Sequence, residues 1–226
     1  MGLYARIFTA PAPSNPCAFA HVLKHLTPLP AMLPPMPLAA DRTGAPRRAE
    51  LFSHPATPCP DVTQLQVTLA PEPVARAWRL EYQLHGRLAR LRLPAPAACP
   101  AATDGLWQHT CFEAFAGRMG EAAYREFNFS PSGHWAAYTF RRERERDPHA
   151  PPLPAPRLAC TQTADVFTLR AWLPAAALPA AGGSAWQWGL SAVIESADGR
   201  LSYWALHHPA PRPDFHARGG WTLLLP

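Results

Sequence analysis

Hydrophobic positions alternate with period two through most of the chain after residue 60, and the strongest run lies between Asp104 and Phe140, DGLWQHTCFEAFAGRMGEAAYREFNFSPSGHWAAYTF. Period two puts Trp107, His109, Cys111, Glu113 and Phe115 on one face, and Thr110, Phe112 and Ala114 on the other. Both faces are largely apolar, the mark of a strand inside a sandwich. Tyr124 to Phe129 sends Phe127 and Phe129 one way and Tyr124, Glu126 and Asn128 the other. The turn residues Ser130-Pro131-Ser132-Gly133 then lead into Trp135 to Phe140, so the three runs predict a β-meander. Glu113 breaks the pattern as a carboxylate within the most apolar strand, and a broken local rule marks a place to seek function.

The same reading predicts strands over Val62–Leu69, Trp78–Leu84, Leu91–Leu93, Leu158–Gln162, Val166–Leu173, Trp186–Glu195, Leu201–Leu206 and Trp221–Leu225. Asp198-Gly199 is the strongest hairpin signal. The count is about ten short strands with turn signals every ~8–12 residues and almost no helix. This is the signature of an all-β chain folded as an antiparallel β-sandwich. HHPAPRPDFHARGG, before the last strand, reads as an irregular connection.

Composition divides the chain. All eight tryptophans lie between Trp78 and Trp221, whereas residues 1–60 hold 12 of the 29 prolines and show no sustained alternation. Residues 1–60 therefore read as a poorly ordered leader and residues 61–226 as one domain with a substantial core. Five basic residues against Asp41 and Glu50 put most of the net charge of +5 in that leader. The near-neutral remainder lacks the basic footprint that a nucleic-acid partner requires. The mixed-sign run Arg141 to Arg146 reads as a solvated loop. Five cysteines without CxxC spacing predict no zinc module and no dense disulfide framework. Neither a secretion signal nor a bilayer-spanning run is evident, and the expectation is a soluble, cytoplasmic protein without a membrane partner.

A sugar presents C–H patches that stack on aromatic faces and hydroxyls that bond to carboxylates and amides. Trp107, Glu113 and Asn128 supply that set, with Glu113 and Asn128 on adjacent strands facing one way. LWQHTCFEAF, then YREFNFSPSG, then the late YWALHHPAPRPDFHARGGW resemble the DOMON-like group of the family 9 carbohydrate-binding modules, over most of residues 61–226. The resemblance implies a jelly-roll-like sandwich that clasps a glycan between two aromatic rings. It implies Trp107 and Phe215 as the stacking rings, with Phe where the family usually has Trp, and Glu113 and Asn128 as hydrogen-bonding groups. Trp135, Trp204 and His216 are second-tier candidates.

The resulting expectation is non-catalytic binding of a carbohydrate or related polyhydroxy ligand, with no catalytic residue, metal or cofactor. Glycoside hydrolysis is an alternative, since it needs two carboxylates about 5–10 Å apart and Glu113 with Glu126 is the pair that strand parity allows. Haem-binding DOMON relatives use methionine and histidine ligands, but Met119 is the only methionine beyond position 36 and lies in a turn. His207, His208, Asp214 and His216 carry metal-ligating groups without the spacing of any standard module.

Overall fold

In a computed structural model, residues 45–180 and 184–225 are described. Twelve strands follow in order: β1 (Arg47–Ser53), β2 (Val62–Glu72), β3 (Ala77–Gly86), β4 (Cys111–Arg118), β5 (Tyr124–Phe129), β6 (Trp135–Arg142), β7 (Glu145–Arg146), β8 (Arg157–Gln162), β9 (Val166–Pro174), β10 (Trp186–Glu195), β11 (Leu201–Ala205) and β12 (Leu223–Leu225). Every pairing between them is antiparallel. One sheet runs β1-β2-β3-β9-β8 and the other β7-β6-β5-β4-β10-β11, with β12 also on β10. The chain is an all-β sandwich.

The two sheets earn their partnership through alternation. In β3, Trp78, Leu80, Tyr82 and Leu84 are buried, and in β9 so are Phe167, Leu169, Ala171 and Leu173. Phe112, Ala114 and Ala116 of β4, Phe127 and Phe129 of β5, and Trp188, Leu190, Ala192 and Ile194 of β10 face them across one core. The Phe112 ring lies 5.1 Å from that of Tyr82 and 5.9 Å from that of Phe167. Tyr82 also donates its hydroxyl hydrogen bond across the core to the Glu113 carbonyl at 2.8 Å, which satisfies the one polar atom on that ring.

The sheets differ on their outer faces. On the first, Glu81 pairs with Arg79 and Arg170 at the surface. On the second, all eight residues of β4 are buried, because the late segment 206–222 crosses it as a strap. Two glycines make room: a Cβ on Gly189 would stand 2.3 Å from the Trp221 ring, and one on Gly117 would stand 2.8 Å from the Arg218 guanidinium. Arg218 bonds the carbonyls of Arg118, Ala122 and Ala123, and Trp221 donates to the Phe215 carbonyl at 2.8 Å.

Four expectations need correction. β1 lies inside the stretch read as leader: Arg47–Leu51 pair with β2, and Phe52 and Ser53 pair with β11. Only Leu51 of its seven residues is buried, so no alternation announced it, and neighbouring strand edges recruit its backbone. Residues 1–44 lie outside the described residues. Leu91–Leu93 is not a strand; a 3₁₀ turn, Leu88–Arg90, and a single bridge from Leu91 to Ser196 replace it. Trp107 and His109 precede β4 rather than belonging to it, since a 3₁₀ turn over Leu106–Gln108 intervenes. The run Arg141 to Arg146 forms a tight β6–β7 hairpin in which Arg144 has a φ of 59°.

A chain beginning at residue 61 lacks β1 and leaves one backbone edge of β2 and one of β11 unpaired. Urea unfolding is expected to show it destabilised by ~3 kcal/mol or more relative to a chain beginning at residue 45. A Gly189→Ala variant is expected to lose about 1–3 kcal/mol in the same measurement, because its methyl group displaces the Trp221 ring.

Candidate functional site

Strand register brings a row of side chains together on the outer face of the second sheet. Tyr138 of β6 stands opposite Glu126 of β5. Glu126 is opposite Phe115, one step along the same face from Glu113 of β4, which is itself opposite Asn128 on one side and Ser191 on the other. Val193 of β10 is opposite Tyr203 of β11. An aromatic ring thus closes each end of the row, and two carboxylates lie between.

The strap and two turns roof this floor into a cavity of about 390 Å³, within the ~300–1,000 Å³ usual for small-molecule sites. Trp107 enters from the 3₁₀ turn before β4; it is 43% exposed and sits edge-on to Tyr138 with ring centroids 6.2 Å apart. Phe215 enters from the strap, with its ring 6.0 Å from that of Tyr203. The β6–β7 hairpin contributes Arg144 and Arg146 to the lining, and the strap adds Asp214 and His216.

The carboxylates sit in a dry environment. Glu113 is 3% exposed, and its side chain makes no hydrogen bond among the described residues. Burial, reinforced by the charge of Glu126, holds its proton affinity well above the usual carboxylate range. Burial also raises Glu126, to about 7; a hydrogen bond from Asn128 Nδ2 at 2.9 Å, then Arg146 and Arg144, pull the other way. Glu126 therefore ionises first, and its charge helps keep the proton on Glu113. His216 is depressed to about 4, first by burial and then by the charge of Arg144, so its ring is neutral at pH 7. The Tyr124 hydroxyl accepts from the Arg144 backbone N–H at 3.2 Å and lies 2.7 Å from His216 Nδ1, to which it is assigned as the donor. That assignment places the imidazole proton on Nε2, 3.7 Å from Glu126 Oε2.

Of the residues singled out from the sequence, Trp107, Glu113, Phe215, His216 and Glu126 line this cavity. Asn128 does not: it is fully buried on the same face but outside the lining, and donates to Glu126, while its own Oδ1 has no partner. Trp135 is opposite Phe129 and so takes the inner face, beside a separate cavity near Ala102 and Leu153. Trp204 is opposite Ala192, belongs to the core, and donates to Ser202 Oγ. His208 bonds the Phe52 carbonyl and meets His54 edge-on. Among the described residues no three His, Cys, Asp or Glu groups are placed to hold a metal ion.

Sequence reasoning missed Tyr138, Tyr203, Arg144 and Arg146. A signal existed for Tyr138: the turn at residues 130–133 sets Phe129 opposite Trp135, and counting back along β5 then sets Glu126 opposite Tyr138. Nothing in the local pattern pointed to Tyr203 or the two arginines.

No protein-family model matches the chain, and no curated protein matches it significantly. Among solved structures, the crystal structure of a putative carbohydrate-binding protein from Bacteroides uniformis is similar, with a TM-score of 0.54 over 77% of this chain and 84% of that one. At 14% identity the likeness is one of fold. No described helix is long and apolar enough to cross a membrane.

The site has a distinct pH signature. A carboxyl whose folded affinity for the proton is raised stabilises the fold below its unfolded value and loses that contribution as pH climbs to the folded value. Glu126 and Glu113 both act in this sense, Glu126 between about 4.5 and about 7. His216, lowered to about 4 from 6.5, acts oppositely, adding stability as pH rises through that window. The two effects of Glu126 and His216 offset each other, leaving Glu113 in excess. Thermal melts are expected to show stability falling from pH 5 to pH 8. Glu113→Gln should flatten that profile and raise stability at pH 8 by about 1–3 kcal/mol.

Proposed function

We propose that the protein binds a carbohydrate or related polyhydroxy ligand in this cavity without transforming it, as a sandwich of the family 9 carbohydrate-binding module type. One observation carries this reading: the row of ring, carboxylate, carboxylate and ring across the outer face of the second sheet, with Trp107 above one end and Phe215 above the other. Flat rings offer stacking surfaces for C–H faces, and the carboxyls offer hydroxyl partners that a dry floor strengthens. Trp107 and Phe215 stack, Glu113 and Glu126 hydrogen-bond, and Asn128 positions Glu126. The similarity in fold to a putative carbohydrate-binding protein supports the ligand class.

Glycoside hydrolysis is a second reading, favoured by the fact that Glu113 and Glu126 share one cavity and both hold protons tightly. Catalysis requires one carboxyl protonated while the other is ionised, across the scissile bond. Here both stand on the same floor of one sheet rather than on opposite sides of a scissile bond, which favours binding over turnover.

Tryptophan fluorescence of the whole chain, titrated with mono- and oligosaccharides, tests the proposal. One sugar class is expected to give a saturable change, weakened ~10-fold or more in Trp107→Ala and unaltered in Trp204→Phe. A folded protein unresponsive to the whole panel refutes sugar binding, and release of phenol from aryl glycosides, abolished in Glu113→Gln, establishes the hydrolytic reading instead.

A further inference from the structure

We infer that the ligand group seated on the cavity floor, between Glu113 and Glu126, is a protonated amine, so that the preferred ligand is an amino sugar. The inference rests on the carbohydrate reading above and names the ligand class within it.

Among the described residues no arginine is paired directly with either carboxyl on the floor, although Arg146 and Arg144 lie close enough to favour an ionised Glu126. Each nearby cation is turned to another partner: Arg144 pairs with Asp214 at 2.7 Å, and Arg146 lies 3.7 Å from Asp104 and 3.9 Å above the Tyr138 ring. His216, whose Nε2 lies 3.7 Å from Glu126 Oε2, is neutral. Tyr138 gives its hydroxyl proton to Asp104 at 2.6 Å and so leaves the floor unserved. The carboxyl of Glu113, almost wholly buried and lining the cavity, has no hydrogen-bond partner among the described residues, and the buried oxygens of its cross-strand neighbours Asn128 and Ser191 also lack one.

Two adjacent buried carboxyls without a cation are costly, and the free protein meets that cost by keeping protons on them. A neutral hydroxyl can bond to such a floor but brings no charge to it. An ammonium group does both: it donates up to three hydrogen bonds and matches the single charge left when Glu126 ionises. The walls favour the same choice, because the negative faces of Trp107, Tyr138, Tyr203 and Phe215 attract a cation. On binding, the incoming ammonium displaces the proton held by Glu126 into solvent, and the carboxylate left behind balances its charge while Glu113 keeps its own proton.

Calorimetric titration of the full chain at pH 6.5, in two buffers of different ionisation enthalpy, separates the possibilities. The probes are glucosamine, galactosamine and mannosamine, each beside its parent hexose and N-acetyl derivative, with methylammonium as a sugar-free amine. One amino sugar is expected to bind at least ~10-fold more tightly than both neutral counterparts, with net proton release. That preference should shrink to about twofold or less in Glu126→Gln and Glu113→Gln, whose melts at pH 8 report that they are folded. Neutral hexoses binding as tightly as their amines, without proton release, overturn the amine inference and leave sugar binding standing. Methylammonium matching the amino sugars overturns the sugar reading and this inference with it, as does a silent panel.

Discussion

Two carboxyls buried side by side on the outer face of a sheet are the constraint around which the second half of the molecule is built. Glu113 and Glu126 stand on the two strands that also fill the core with Phe112, Ala114 and Phe127 from their opposite face. The strands cannot shift to expose the carboxyls without withdrawing those rings, because a one-residue slip exchanges the faces. The carboxyls are therefore held under the strap by the packing of the core, and burial there raises their proton affinity.

The strap converts that buried face into a cavity rather than a second core. It is anchored at one end by Trp221 on Gly189 and by Arg218 over Gly117, both positions where a side chain would lift it away. Toward the other end, Phe215 and His216 overhang the floor without filling it. The Trp221 bond to the Phe215 carbonyl couples anchor and overhang, so the position of the Phe215 ring depends on a glycine in a different strand. Rigid sheet below and fastened loop above describe a largely preformed site, which limits the ordering cost of binding.

The electrostatics give the cavity its chemical character. Arginines are abundant in this chain, and two of them reach the site, yet Asp214 and Asp104 draw them to the rim. The floor is left acidic and the walls aromatic. Such a site suits a ligand with hydroxyls and a positive group, and suits an anionic one poorly.

The strands of the core and the anomaly at Glu113 were legible in the sequence because both are local: period-two alternation states which residues are buried, and a carboxylate within it states that something is unusual. The same parity placed Glu113, Glu126 and Asn128 on one face, and the late irregular segment was evident from its prolines. β1 was not legible, since a strand that buries one leucine and is held by backbone bonds to two neighbours leaves no side-chain pattern. Trp135 and Trp204 could be named only as second-tier candidates or core residues, because only register with Phe129 and Ala192 tells which face they take. Tyr203, Arg144 and Arg146 come from remote stretches, and only the strand order of the sheet sets them around Glu113. The sequence by itself determined which residues are buried in each strand; the tertiary structure decided which strands are neighbours and what lies over them, because pairing partners and loop paths are chosen by interactions distant along the chain.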